Sequence, residues 1–310
     1  AFLDSKWPGT VAPVSGYSCS TVVESRLARL NMPLENRVIF GRDTLLIAIF
    51  SFCCLLIELP LLHPYDRPIP MQVVTLSNGT SVVLKELILD NPYIPSHQQI
   101  CPTALLVALC VLVPLGVLGA VTYWAPKPGE AASFLRGFML TVACNVFLTD
   151  LIKNYIGYLR PYLYDECGFD PVTRACTLPA GTTEARKSFP SGHASLSFSS
   201  MLFTSLFLLR KVAAQPMKMK TCLGMQDCTN VALLLALSPV MLAFWIASSR
   251  VRENDHHPAD ICFGSFIGSA WAIFWYVRYF CATWKCAEMS VAPSSEDTHR
   301  DEEADSIMIP

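Results

Sequence analysis

The chain has 310 residues, 52% of them hydrophobic and only 15% charged, with a mean hydropathy of +0.40. A soluble domain carries about 25% charged residues, so this composition excludes an ordinary soluble fold and makes lipid the solvent for much of the surface. The net charge is −2 and the basic residues are scattered without a basic-aromatic tract, which gives no sign of a nucleic-acid partner.

Residues 1–43 are mixed, show no cleavable signal pattern and carry Arg26, Arg29, Arg37 and Arg42 ahead of the first apolar run. That run, 44–62, is interrupted only by Glu58. About 20 apolar residues at 1.5 Å each cross a hydrocarbon core of roughly 30 Å. By the same criterion 102–124, 132–152, 193–209, 231–247 and 261–281 are the second to sixth predicted spans. The expected architecture is therefore all-α: a polytopic six-helix transmembrane domain over 44–284, between a cytosolic segment at 1–43 and an acidic, disordered cytosolic tail at 285–310. No internal repeat is evident.

Six spans put both ends of the chain on one side. The early arginines, Lys127 and the basic set from Arg210 to Lys220 all fall on that side, whereas the loops at 63–101 and 153–190 are balanced or acidic. The positive-inside rule makes the first side cytosolic and the two loops extracellular or lumenal. Asn78-Gly79-Thr80, in the first outer loop, is the one glycosylation sequon, so Asn78 is the expected acceptor. Cys53, Cys54, Cys110, Cys144, Cys262 and Cys281, six of the thirteen cysteines, lie in apolar runs as small buried hydrophobes. Cys167 and Cys176 close a short outer loop and are a candidate disulfide. There is no CxxC motif to suggest zinc.

Three polar clusters lie at span ends on the outer side: Lys153 through Arg160-Pro161, Pro190-Ser191-Gly192-His193, and Ser249-Arg250 followed by His256 and Asp260. Fixed charges at such positions are expensive and mark function. A phosphate monoester carries about two negative charges near neutral pH. Lys153, Arg160 and Arg250 can neutralise them, the guanidinium groups bidentately. Ser191 and Gly192 stand at a helix start, where free N–H groups and the dipole favour an anion. Monoester hydrolysis requires acceleration approaching ~10²¹, so a nucleophile and a proton donor are needed besides cations. His256 and Asp260, four apart, share a helix face; the carboxylate can hold one ring nitrogen and leave the other to attack phosphorus. His193 then protonates the leaving alkoxide and later activates water. Covalent catalysis by histidine requires no metal, so no metal or other cofactor is expected.

The set Lys-x6-Arg-Pro, Pro-Ser-Gly-His and Ser-Arg-x5-His-x3-Asp resembles the three-part signature of the type 2 phosphatidic acid phosphatase superfamily, and with six spans it is most similar to the lipid phosphate phosphatases (phospholipid phosphatases). The resemblance implies a six-helix bundle with an outward or lumenal site. It also implies roles: Lys153, Arg160, Ser191, Gly192 and Arg250 on phosphate, His193 as acid/base, His256 as nucleophile and Asp260 as its partner. The implied substrates are phosphatidate, lysophosphatidate, sphingosine 1-phosphate and ceramide 1-phosphate, without magnesium. The partners are then membrane lipid phosphates and the bilayer. The plasma membrane is the favoured location, with an internal membrane as the alternative, and a homo-oligomer stays open.

The sequence departs from the family in two places. Tyr158 stands where these phosphatases often have Arg, and the sequon falls between spans one and two rather than three and four. Two other functions compete: a non-catalytic lipid-phosphate-binding protein of the plasticity-related kind, and a phosphatase for soluble esters. Glu58 reads as an interface residue, Asn145 and Asp150 as facing a polar interior, His257 as a surface group, and Asp255 as a solvated loop charge.

Overall fold

The computed structural model describes residues 42–57, 63–178, 183–214, 218–221 and 224–281. The expected cytosolic segment before residue 42, Glu58 and the acidic tail lie outside the described residues.

Among the described residues seven α-helices follow in chain order: α1 (Arg42–Ile57), α2 (Thr103–Trp124), α3 (Glu130–Ile156), the four-residue α4 (Leu163–Glu166), α5 (Gly192–Ala214), α6 (Thr229–Arg252) and α7 (Pro258–Phe280). Among the described residues α2, α3, α5, α6 and α7 are long and apolar enough to cross a membrane. The 16-residue α1 is apolar but shorter, and the expected first span is described only to Ile57. The chain is an integral, multi-pass membrane protein, and among the described residues five of the six expected spans are seen at full length. Leu112, Leu234 and Phe266 point outward from α2, α6 and α7 and are more than 60% exposed, as lipid-facing side chains are.

Among the described residues three short antiparallel hairpins interrupt the helical plan. β1 (Met71–Thr75) pairs with β2 (Ser81–Lys85), β3 (Phe169–Asp170) with β4 (Ala175–Cys176), and β5 (Lys218–Thr221) with β6 (Gly224–Asp227). The first lies within the outer loop expected at 63–101. Its Val73, Val74, Val82 and Leu84 form a β-branched and aliphatic ladder closed by Gly79 at φ +80°.

α5 is the axis of the bundle and packs against α2, α3, α6 and α7. Its face is unusually polar: Ser195, Ser197, Ser199, Ser200, Thr204 and Ser205 are all buried. Of the two prolines inside the described helices, Pro114 explains part of this, while the gap at Pro239 is filled from within α6. A proline inside a helix leaves the carbonyl four residues earlier without its partner. For Pro114 of α2 that carbonyl is Cys110, and Ser200 donates to it at 2.7 Å. For Pro239 of α6 it is Leu235, and Ser238 donates at 2.7 Å. Small residues set the spacing between helices. A Cβ at Gly264 or Gly268 of α7 would lie 2.6 Å from the Ser191 carbonyl oxygen or 2.2 Å from that of Ser195. This glycine pair, four apart, lets the backbones of α5 and α7 approach closely.

Charges tie down the end of the bundle opposite the polar clusters. Glu130, at the positive first turn of α3, is bound by Arg210 at 3.0 Å and by Lys211, the latter in the last turn of α5.

Candidate active site

The three clusters meet at one end of the bundle because α3 and α6 finish there and α5 and α7 begin there. Lys153 sits in the last turn of α3. Gly157 ends that helix in the left-handed conformation at φ +59°, with its N–H on the Lys153 carbonyl at 3.1 Å. A Cβ on Gly157 would lie 2.0 Å from the Tyr65 carbonyl oxygen, so only glycine fits where the chain turns back toward Arg160. Arg160 is then strapped to the next loop: its N–H donates to the Ala185 carbonyl at 2.7 Å and its Nε to the Glu184 carbonyl at 3.0 Å. A small buried core of Leu89, Leu159, Leu163, Tyr164, Cys167 and Phe169 supports that loop. Cys167 and Cys176 are joined in a disulfide within it, with Cα atoms 5.2 Å apart.

Ser191 is fully buried. Its hydroxyl accepts from the Ala194 N–H at 3.4 Å, and its own N–H donates to the Asp260 carbonyl at 3.1 Å. It caps α5 and docks that helix on α7 instead of lining the cavity. Gly192 does line the cavity, and a side chain there would begin 2.9 Å from Lys153 Nζ.

The cavity has a volume of about 470 Å³. Lys153, Arg160, Arg250, Gly192, His193 and His256 all line it. Its floor is a small hydroxyl and amide network: Asn145 Nδ2 and Thr149 Oγ1 both reach Ser195 Oγ, at 3.3 and 3.1 Å. Asn145 thus faces a polar interior, as expected.

Three ring nitrogens of the two histidines have a close polar neighbour. His193 Nε2 lies 3.1 Å from the Cys101 carbonyl, which can only accept, so this nitrogen carries the proton. His256 Nδ1 lies 3.6 Å from Asp260 Oδ2, just beyond hydrogen-bond distance. His256 Nε2 faces Asp255 Oδ2 at 3.5 Å. Asp260, fully buried, also accepts from the Ser188 hydroxyl and from the His257 N–H at 3.0 Å, so the carboxylate caps α7 and faces His256 at once. His257 turns away from the cavity, with Nε2 on the Leu159 carbonyl at 3.0 Å and its ring edge-on to Tyr158. The Arg67 guanidinium stands 5.2 Å over the Tyr158 ring, so a cation from the first loop lies beside the position where the resemblance puts Arg.

The structure corrects the reading of Asp255. It is 5% exposed, not solvated: Oδ1 binds Arg160 Nη1 at 2.6 Å and Oδ2 binds Arg250 Nη2 at 2.8 Å. Burial alone would raise its pKa, but Arg160, His256 and Arg250 outweigh this and hold it well below the usual carboxylate range. Arg250, 1% exposed, also donates from Nη1 to the Cys101 carbonyl at 3.0 Å and to Glu253 at 2.6 Å, while its Nε is buried without a partner. Burial pulls His256 down to about 4, reinforced by Arg160 and Lys153 and opposed by Asp260 and Asp255. The ring is therefore neutral near pH 7, with a lone pair to give. Glu166, another cavity residue missing from the sequence reading, is pushed up to about 7 by burial, with Glu184 and Asp255 adding to the effect and Arg160 opposing it. Glu253 was detectable three residues after Arg250, at ion-pairing distance on a helix. Asp255 and Glu166 had no such signal, because their partner Arg160 is remote in sequence or turned by the loop.

Asn78 is not among the residues lining this cavity; it stands at the exposed tip of the first hairpin, where its Oδ1 accepts from the Thr80 N–H at 3.0 Å.

Comparison with known proteins gives a consistent set of relatives. The PAP2 superfamily profile matches residues 134–284. The chain is 27% identical over 206 residues to lipid phosphate phosphatase 2 of Arabidopsis thaliana, covering 63% of this chain and 67% of that protein. It is 27% identical over 216 residues to a probable diacylglycerol pyrophosphate phosphatase 1 of Schizosaccharomyces pombe, covering 64% and 71%. It is 31% identical over 149 residues to phospholipid phosphatase 2 of Rattus norvegicus, covering 44% and 49%. No solved structure gives a significant match.

Proposed function

We propose, from the match of the PAP2 superfamily profile to residues 134–284, that this chain is an integral membrane phosphohydrolase of lipid phosphate monoesters. One observation carries the reading: three cations and two histidines from α3, α5, α6 and their loops line one cavity at one end of the bundle. Lys153, Arg160, Arg250 and the N–H groups around Gly192 hold the phosphate, with Ser191 setting the start of α5. Neutral His256 attacks phosphorus through Nε2, and the bond from phosphorus to the lipid oxygen breaks. The leaving alkoxide takes a proton from His193. Water then gives its proton to His193 and attacks the phosphohistidine, releasing inorganic phosphate and restoring His256. Asp260 holds the Nδ1 side of the ring, and the 3.6 Å separation tightens as positive charge develops. Prearranged positive charge supplies most of the transition-state stabilisation.

The substrates we infer are phosphatidate, lysophosphatidate, sphingosine 1-phosphate and ceramide 1-phosphate. The name of the fission-yeast relative adds a lipid diphosphate to the panel. The site faces outside or a lumen, both ends of the chain are cytosolic, Asn78 is glycosylated, and the plasma membrane is the favoured location. The test is phosphate release from lysophosphatidate by purified protein in a chelator. Turnover is expected, falling by about 10⁴-fold or more in His256→Ala. Binding without release selects the non-catalytic reading. Preference for a soluble ester over detergent-dispersed lipid selects the third.

A further inference from the structure

Three groups that the proposed reaction aims at phosphate already converge on one anion. Asp255 spans Arg160 Nη1 and Arg250 Nη2 at 2.6 and 2.8 Å, and the oxygen on Arg250 is also the nearest approach to His256 Nε2, at 3.5 Å. We propose that the Asp255 carboxylate is an internal ligand of the two arginines, in the place of two phosphoryl oxygens, and that the substrate must displace it.

The donors around it show what displacement releases. Arg250 Nη1 is held by the Cys101 carbonyl and Glu253, so the edge of this guanidinium left for an incoming anion is Nε with Nη2. Nη2 is bound to Asp255, and Nε is buried with no partner. An oxyanion that binds this edge bidentately fills the orphaned donor and removes Asp255 from the other. Arg160 is similar, its Nε engaged by the Glu184 carbonyl and its Nη1 by Asp255. The nucleophilic nitrogen faces the carboxylate as well, so phosphorus reaches it only after the carboxylate has moved. A phosphate dianion brings two charges against one and wins the exchange. A monoanion brings one and gains little, so Asp255 also selects for monoesters over diesters.

The inference rests on the phosphohydrolase reading, and the experiment separates the two. The inhibition constant of inorganic phosphate and the KM for lysophosphatidate are measured on wild type, Asp255→Asn and Asp255→Glu. Asparagine keeps the shape and removes the charge, so phosphate is expected to inhibit about tenfold more tightly and KM to fall. The longer carboxylate of Asp255→Glu reaches further into the site, so both constants are expected to rise. A residue that merely braces the two arginines gives the opposite sign for Asp255→Asn, with weaker inhibition and higher KM. That result, or no change, overturns the inference. If Asp255→Asn does not yield folded protein, Asp255→Glu decides alone: constants that fall or stay level overturn it. Wild-type protein that neither turns over lysophosphatidate nor binds phosphate instead removes the function on which the inference is built.

Discussion

Glu166 shows how a single side chain sets the working range of a site. Its carboxyl titrates at about 7 because it is partly buried and stands near Glu184 and Asp255, with Arg160 only partly offsetting them. Below that pH it is neutral and adds no charge to the cavity; above it, a new negative charge opposes an incoming phosphate and competes for Arg160. The proposed reaction should therefore lose kcat/KM as pH rises through about 7, and Glu166→Gln should flatten that alkaline limb; a pH–rate profile of the two proteins checks it. His256 gives the opposite limb. With its pKa lowered to about 4, the ring is charged and unable to attack only in acid, so activity attributable to this group falls as pH drops toward 4. Arg160 and Asp255 illustrate the limit of reading residues singly: the first was marked as a cation for substrate, yet its partner in the structure is the carboxylate dismissed as solvated.

At the scale of elements, the decisive feature is how closely α7 lies on α5. In lipid there is no hydrophobic drive between helices, so close backbone contact and satisfied polar groups must hold them. Gly264 and Gly268 supply the contact, and the serine hydroxyls of α5 and α6 supply the missing partners of the Pro114 and Pro239 turns. Because both His193 and the Asp260 turn ride on this pair of helices, their spacing sets the site. A Cβ at Gly268 would meet backbone atoms that cannot swing aside, at 2.2 Å from Ser195 O and 2.9 Å from Ser199 N. Gly268→Val is expected to cost about 1–3 kcal/mol or more by overpacking and to lower the thermal unfolding midpoint in detergent. Gly116→Val on α2 is the matched control: a Cβ there meets nothing within 4 Å, so the midpoint should barely move.

For the whole molecule, the topology proposed here places the hairpin tip with Asn78 on the same side as the site. Expression in a glycosylating host should give a mass that falls on enzymatic deglycosylation and in Asn78→Gln; an unchanged mass in both removes the outward orientation of that loop. The apolar runs determined by themselves where the long helices lie, since a span needs only length and composition to be stable in lipid. The sequence also determined which polar residues stand at helix ends, because Lys153, His193, Arg250 and Asp260 sit within one turn of a boundary that composition marks. The fold decided what those residues face. Ser191 became a cap, Asp255 became the shared partner of Arg160 and Arg250, Cys101 offered its carbonyl to both His193 and Arg250, and the first outer loop folded into a hairpin. Hydropathy is a local property that a short window of chain reports, whereas an ion pair between residues 95 positions apart exists only once helix packing has brought their ends together.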